Sequence, residues 1–437
     1  MSETRIGLGT IARAWGRIGC VGLGGPPTHI ALLRELCVER RAWIDAEQFE
    51  DDVAATHLLP GPAATQLAIL TAWRLRGTPG ALVGGGCFLA PGLVAVLALS
   101  AFFLAATPPR WASGAAAGAG AVVAAVAVHA AWRLAPAGRR RVTGRAATRR
   151  WYAYLAAGAL AAVLAGPWLV LVLAGAGLCE AGVAARTARL RGAVRRPVPD
   201  VDHGTAGPRA ATGAAPDADT VPVGGAEGGA ADARHRPDGV RPAAWAAWAL
   251  LLAALAAAVA GGLAALLWVA LKVGLLSYGG GFVVVPLIQS DVVDVHQWLT
   301  GEQFLHAVAL GQLTPGPLVR TVVVVGYAAA GPLGGLLTAL AVFGPSFPLV
   351  IHGGRYLERA RRHRGVRAFL RGAGPAVVGA VAGSAVPLAL ALEFTWQYGL
   401  LAAAAVWLFA ARRGVTSALV GAGALGVVIG VAGGPVG

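Results

Sequence analysis

Charged residues are scarce in this sequence. Only 13% of its 437 residues are Asp, Glu, Lys or Arg, and 57% are apolar, whereas soluble domains have about 25% charged residues. This composition argues against a disordered chain and against a soluble enzyme. The apolar runs at 81–106, 112–132 and 244–271 reach the roughly 20 residues that a helix needs to cross a bilayer. The sequence therefore predicts an all-α polytopic membrane protein.

Cysteine is also scarce, and its spacing carries no metal or disulfide pattern. The four cysteines are Cys20, Cys37, Cys87 and Cys179. No C-x-x-C pair occurs, so we expect neither a metal site nor a cofactor. The net charge of +15 comes mainly from arginines in short loops between apolar runs. The positive-inside rule explains such loops, so nucleic acid is not an expected partner.

Large apolar side chains are absent from one internal segment. Residues 197–243 contain no Leu, Ile, Phe, Tyr or Trp. A segment of this kind cannot bury enough apolar area to offset its chain entropy, which predicts a flexible linker. The predicted organisation is a membrane repeat at 1–185, a basic and then flexible linker at 186–243, and a second repeat at 244–437 that starts with an extra helix at 244–271.

The two halves share motifs at a constant offset of 255 residues. The matched pairs are Trp43 with Trp298, Glu47-Gln48-Phe49 with Glu302-Gln303-Phe304, and Pro60-Gly61-Pro62 with Pro315-Gly316-Pro317. After one deletion the offset becomes 254, which pairs Pro91 with Pro345. Compositional bias would not align such rare combinations, so the halves are predicted to be structural repeats.

The arginine distribution indicates how the repeats lie in the membrane. Seven arginines fall in 133–150 and seven in 355–371, whereas the equivalents of these segments, 387–404 and 101–117, hold none and one. Because cytoplasmic loops attract Lys and Arg, opposite loops are cytoplasmic in the two halves. This predicts inverted repeats, with the extra helix reversing the second half and the N-terminus and linker in the cytoplasm.

Glycine and proline interrupt the apolar segments at equivalent places. Glycines break the segments around 22–27 and 278–282, and Pro-Gly-Pro breaks those around 60–62 and 315–317. Broken backbone at membrane depth survives only where protein or a water-filled cavity satisfies its polar groups. Paired interruptions in two halves point to a transporter binding site. A helix that starts after Pro-Gly-Pro directs free N–H groups at the break, which suits an anion.

Capping signals place a helix start before each Pro-Gly-Pro. Asp45 and Thr300 each stand three residues before a glutamine, which is capping-box spacing. Pro62 and Pro317 lack an N–H and would clash inside a helix. We therefore predict broken, partly re-entrant half-helices and roughly eleven to thirteen membrane segments in all.

Three cations are candidates for balancing the charge of an anion. Arg17 and Lys272 are equivalent by position, and Arg320 follows the second Pro-Gly-Pro in an apolar run. Ionisable groups in membrane segments usually face a cavity. Snorkelling to the interface is the alternative for Arg17 and Lys272, and pairing with Glu302 is the alternative for Arg320.

The predicted substrate site combines the breaks, the cations and the neighbouring neutral polar side chains. It comprises Arg17, Gly24, Gly25, Pro60, Gly61, Pro62, Thr65, Gln66, Lys272, Gly279, Gly280, Gly281, Thr314, Pro315, Gly316, Pro317 and Arg320.

The motifs together resemble the chromate ion transporter family. The resemblance rests on the repeated Glu-Gln-Phe and Pro-Gly-Pro motifs and is strongest in Gly311-Gln-Leu-Thr-Pro-Gly-Pro317 and Phe343-Gly-Pro-Ser-Phe347. It implies a two-repeat carrier of the long type that exports chromate, with sulfate as a second candidate, and that is associated with chromate resistance. The chain departs from the family pattern at Ala63-Ala64 and at Arg320.

We accordingly expect a secondary transporter in the cytoplasmic (inner) membrane that works by alternating access and is not an enzyme. Its expected partners are a chromate or sulfate oxyanion, membrane lipid and a coupling ion, either a proton or a counter-anion; a homodimer is left open. An anion channel is one alternative. An enzyme acting on a lipid-linked phosphate is the other, with Asp51, Asp52 and His57 as its only compact catalytic candidates.

Overall fold

The fold is built from helices throughout the part of the chain that the structure describes. The computed structural model describes residues 6–22, 26–56, 59, 61–104, 109–140, 142–164, 168–194, 259–277, 284–353 and 363–436. No strand occurs among these residues, so the predicted all-α fold is confirmed. The helices of the first half are α1 (Leu8–Val21), α2 (Pro26–Arg34, extended by a π-helical turn at Glu35–Arg40), α3 (Ala46–Thr56), α4 (Ala63–Phe103), α5 (Arg110–Ala121), α6 (Val123–Arg139), α7 (Arg145–Leu164) and α8 (Leu169–Val194).

The second half begins with the same order of elements as the first. Its helices are α9 (Ala264–Leu276, preceded by a π-helical turn at Val259–Leu263), α10 (Val284–Gln289, extended by a π-helical turn at Ser290–Val295), α11 (Gly301–Leu313), α12 (Thr321–Phe343, preceded by a 3₁₀ turn at Leu318–Arg320), α13 (346–353), α14 (Arg364–Gly383), α15 (Ala385–Leu390), α16 (Thr395–Ala405, extended by a π-helical turn at Val406–Ala410) and α17 (Val415–Val431).

Several of these helices have the length and composition of membrane spans. Among the described residues, five stretches are long and apolar enough to cross a bilayer: Ala63–Phe103, Arg110–Pro136, Leu169–Thr187, Thr321–Gly353 and Arg364–Leu390. Their apolar length agrees with the predicted multi-pass membrane protein.

The backbone itself repeats at the sequence offset. Gly61 and Gly316 have φ of 120° and 123°, and Gly77 and Gly331 have φ of 62° and 63°. These values lie in the left-handed region that only glycine adopts at low cost. The two-repeat prediction is therefore confirmed at the level of single dihedral angles, while the opposite orientation of the repeats in the membrane stays a prediction.

The 41-residue helix α4 is not one membrane span. Its helical geometry is interrupted at Arg76 and Gly77. A Cβ on Gly84 would collide with the Cβ of Ala72, although a straight helix separates residues twelve apart by about 18 Å. The chain therefore folds back on itself at Gly77, and α4 is a helical hairpin whose first arm starts directly after Pro-Gly-Pro.

Helix α12 has the same hairpin. Its geometry is interrupted at Ala330 and Gly331, and a Cβ on Gly326 would lie 2.7 Å from both the Gly334 carbonyl oxygen and Thr338 Cγ2. Residues on both sides of the interruption are thus in contact. The predicted interrupted half-helices are confirmed in both repeats.

Small residues hold the two halves together. Helix α5 of the first half packs on α17 of the second, and α14 of the second packs on α7 and α8 of the first. In the first pair a Cβ on Gly118 would collide with the Ala422 carbonyl, and in the second a Cβ on Gly158 would collide with the Ala376 carbonyl. Glycine at such places lets helix backbones approach closely where no hydrophobic driving force acts between helices.

Two described helices cross the predicted domain boundaries, and the division into domains stays a prediction. Helix α8 continues to Val194, past the predicted end of the first repeat at 185. Helix α9 starts at Ala264, after a left-handed Gly262 with φ of 84°, so 264–271 lie in the helix equivalent to α1. The predicted linker at 197–243 and most of the extra helix lie outside the described residues.

Candidate functional site

Both helices that lead into the Pro-Gly-Pro breaks start where the capping signals predict. Thr300 Oγ1 accepts a hydrogen bond from the Gln303 amide at 3.1 Å, and Gln303 Oε1 accepts one from the Thr300 amide at 3.0 Å. In the first half, Asp45 Oδ2 accepts from the Glu47 amide at 2.9 Å. These caps satisfy amides that have no partner inside the helix, and they fix the direction in which α3 and α11 approach the breaks.

Each Pro-Gly-Pro break lies against the first helix of the other repeat. The Gly316 amide donates a hydrogen bond of 3.0 Å to the carbonyl oxygen of Gly22, which caps α1. At the other break, a Cβ on Gly61 would lie 3.1 Å from the carbonyl oxygen of Gly274 in α9. Both breaks therefore lie at the contact between the repeats.

The guanidinium of Arg320 is fixed inside the second break. The residue is 0% exposed, and its Nη1 donates to the Pro315 carbonyl oxygen. Its Nε and Nη2 have no hydrogen-bond partner among the described residues. The alternative pairing with Glu302 is not present, since Glu302 lies beside His306 instead. A buried cation with free donors is costly unless an anion completes it.

Gly92 in the second arm of α4 provides the room for Arg320. A Cβ on Gly92 would collide with the guanidinium and with the Pro315 carbonyl oxygen. The equivalents of Arg320 and Gly92 in the other repeat are Thr65 and Ser346, and Ser346 Oγ would lie 3.5 Å from a Cβ on Gly61. Glycine in the hairpin thus makes room for the large side chain at one break, whereas serine occupies the equivalent position at the other break, where threonine replaces arginine.

Buried neutral polar groups lie at or next to both breaks. Thr314, 3% exposed, donates to the Leu310 carbonyl oxygen at 3.1 Å. Thr65 Oγ1 is buried without a hydrogen-bond partner in the described part of the chain, as are Ser277 Oγ and both side-chain polar atoms of Gln312. Gln66 is fully buried beside Gly61. The sequence did not identify Ser277 and Gln312 as site residues, although the offset of 255 residues pairs Ser277 with Gly22, the C-cap of α1.

Arg17 and Lys272 are not brought to the breaks. Each stands two residues before a glycine that packs inward, Gly19 or Gly274, and two residues turn a helix by about 200°. Arg17 is exposed accordingly. Their predicted role in the central charge balance has no support from this geometry, because equivalence in sequence placed them near the glycines but on the opposite face.

Lys272 instead forms an ion pair with Asp291, with 12% and 10% of the two side chains exposed. The pair borders a cavity of about 470 Å³ whose other lining residues are Trp168, Val170, Leu171, Trp268, Leu271, Leu275 and Leu276. An apolar cavity with exposed tryptophans is typical of a lipid-facing surface.

The compact acidic group before the first Pro-Gly-Pro has a structural partner. Asp52, 2% exposed, accepts two hydrogen bonds from Arg74, at 2.6 Å from Nε and 2.5 Å from Nη2. Asp51 is exposed, and His57 lies outside the described residues. Both Asp52 oxygens are thereby engaged in holding α3 against the first arm of α4. The described residues contain no group of three or more metal-ligating side chains.

Part of the predicted site falls on residues that the structure does not describe. These are Gly24, Gly25, Pro60, Gly279, Gly280 and Gly281. Of the other predicted residues, Gly61, Pro62, Thr65 and Gln66 lie at the first break, and Thr314, Pro315, Gly316, Pro317 and Arg320 lie at the second, with each break in contact with the other repeat. Their joint role in one substrate site stays a prediction.

The sequence matches a known transporter family over both membrane halves. The family described as Chromate transporter matches residues 9–179 and 264–431, which together make up more than half of the chain. The two matched regions correspond to the two repeats and exclude the linker. No solved structure matches this chain.

Three curated relatives cover most of the chain. The chromate transport protein of Pseudomonas aeruginosa is 27% identical over 385 residues, which are 85% of this chain and 79% of that protein. The chromate transport protein of Cupriavidus metallidurans is 27% identical over 373 residues, 85% of this chain and 80% of that protein. The probable chromate transport protein of Synechococcus elongatus is 24% identical over 378 residues, covering 85% and 82%.

Proposed function

We propose that this chain, which belongs to the chromate transporter family, carries chromate across the cytoplasmic membrane by alternating access, with sulfate as a second substrate and export as the net direction. The single observation that carries the proposed site is the fully buried Arg320 in the second Pro-Gly-Pro break. Two of its nitrogens have no hydrogen-bond partner in the described part of the chain.

The chemistry of the break suits a tetrahedral oxyanion. A guanidinium presents planar donors that match two oxygens of one anion. The first arm of α4 starts directly after Pro62, and the 3₁₀ turn that leads into α12 starts directly after Pro317. Their free amides and positive dipole ends are directed at the two breaks. The helix start and the cation at the second break favour an anion of charge −2 over a neutral solute.

Complete burial of Arg320 favours a carrier over a channel. An anion reaches this guanidinium only when the contact between the repeats opens, because no part of the side chain is exposed. The Gly316–Gly22 hydrogen bond crosses that contact. Separation of the repeats at this point would open the site to one side of the membrane, which is the motion that alternating access requires.

The test is flux of labelled sulfate and chromate into proteoliposomes that contain the purified protein. We expect saturable uptake that accelerates when unlabelled anion is present on the opposite side, since exchange returns the carrier in its loaded form. Flux that does not saturate and follows voltage alone would indicate a channel. No flux of either anion by folded protein would refute the proposed substrates.

A further inference from the structure

Two titratable side chains of α11 face each other away from the Pro-Gly-Pro break. Glu302 Oε1 and His306 Nε2 are 3.8 Å apart, and the side chains are 13% and 18% exposed. Neither atom has a hydrogen-bond partner among the described residues. Residues four apart lie on one face of a helix, so the pair forms a compact group that the proposed anion site does not use.

A third carboxylate lies near this pair in the same repeat. Glu393, just before α16, acts on Glu302 as a like charge, and the contact that a Cβ on Gly301 would make with Ala391 shows how close that segment lies. His306 lies against α5, where a Cβ on Gly120 would be 3.3 Å from its Cδ2.

The other charged groups on the elements packed against α11 are engaged elsewhere or exposed. Arg74 pairs with Asp52, Asp291 with Lys272, Arg320 with Pro315, Arg76 with Ile6, Arg110 with Gly433 and Gly434, and Arg139 with Val142; His129 contacts the Phe409 ring, and Arg133 and Asp294 are exposed.

We infer that Glu302 and His306 form a proton-binding site that is coupled to the oxyanion site, an inference that rests on the proposed function. With one shared proton the pair is neutral overall, as carboxylic acid and imidazole or as carboxylate and imidazolium. Without that proton an uncompensated carboxylate stays in a poorly solvated place, next to Glu393. Such charges are expensive inside a membrane protein.

The position of the pair on α11 connects it to the anion. His306 and Thr314 are eight residues apart, which is about 12 Å along a helix axis. A dianion on Arg320 leaves one negative charge in the site, and the unprotonated Glu302–His306 pair adds a second one. The proton removes that second charge and with it the repulsion between the two sites. At about 12 Å and an effective dielectric constant of about 20, the loss of this Coulomb repulsion raises the affinity for the anion about tenfold. Proton and oxyanion therefore bind together, and their joint movement transfers one negative charge, which an inside-negative potential drives outward.

The first repeat offers a matched control. The equivalents of Glu302 and His306 are Glu47 and Asp51, and both are exposed. Neutralising them changes the same helix position without removing a buried titratable pair. The test variants are Glu302→Gln with His306→Gln, and the control is Glu47→Gln with Asp51→Asn.

The experiment follows luminal pH with a trapped dye while an inward sulfate gradient drives uptake into proteoliposomes. Sulfate stays a dianion throughout the range from about pH 6 to about pH 8, in which histidine titrates. For the wild type and the control variant we expect luminal acidification with uptake, and a KM for sulfate that falls about tenfold from the higher to the lower pH. The test variant should retain sulfate–sulfate exchange at equal pH but lose both effects.

Three results would overturn the inference. These are wild-type uptake without acidification, a test variant that still acidifies the lumen, and a KM for the test variant that keeps the wild-type pH dependence. If the double variant does not incorporate into vesicles, the single Glu302→Gln variant decides by the same readouts. Failure of the wild type to carry sulfate or chromate would instead refute the proposed function, so the two failures are distinguishable.

Discussion

Replacing Gly92 by alanine should disturb the anion site without touching a charged residue. The added methyl group would overlap the Arg320 guanidinium and the Pro315 carbonyl oxygen, so Arg320 has to move. Overpacking of this kind lowers protein stability by about 1–3 kcal/mol. The higher helix propensity of alanine offsets up to about 1 kcal/mol of this loss. If Arg320 loses one of its free donors to the substrate, about 1.5–3 kcal/mol of binding is lost, which raises the KM about tenfold to 150-fold.

Gly86→Ala is the matched control, because it lies in the same helix and a Cβ there would meet nothing within 4 Å. Sulfate KM in proteoliposomes and thermal unfolding of the purified protein are measured for both variants. Gly86→Ala should match the wild type in transport and be as stable or slightly more stable. A Gly92→Ala variant with wild-type KM would refute the assignment of Arg320 to the substrate site.

Two further substitutions test the framework around the site. Gly316→Ala imposes a side chain at φ of 123° and should destabilise the protein by about 1–3 kcal/mol, with loss of transport. The control Gly374→Ala, at a helical position where a Cβ meets nothing within 4 Å, should leave stability and transport unchanged. Thermal unfolding in detergent measures the difference in stability. Asp52→Asn removes the charge that Arg74 binds and should lower the free energy of unfolding by about 1.5–3 kcal/mol. The control Asp51→Asn, at the neighbouring exposed position, should change it by no more than about 0.5 kcal/mol. Equal unfolding temperatures of the two variants would contradict a stabilising Asp52–Arg74 pair.

The sequence predicted the breaks because they depend on local chemistry. Proline without an N–H, glycine at positions with positive φ and capping residues at Asp45 and Thr300 act within a few residues of their own position. Their recurrence at one offset was enough to predict two repeats with interrupted helices. The hairpin turns at Gly77 and Gly331 have the same local cause, although apolar length alone would have made each hairpin a single span.

The charged residues of the site were harder to predict because their roles depend on helix rotation and on distant contacts. Arg17 and Lys272 share a sequence position, yet each lies about 200° around its helix from the inward-packing glycine. Glu393 acts on Glu302 across 91 residues of chain. Only the packing of the second half brings such groups together, and no local pattern signals it.

Binding of labelled chromate to purified protein tests the central claim most directly. Wild-type protein should bind chromate saturably, and Arg320→Gln should weaken binding at least about a hundredfold, because the charge and two free donors are lost together. Arg133→Gln, at an exposed arginine of α6, should bind like the wild type. Chromate binding of wild-type strength by Arg320→Gln would contradict the account.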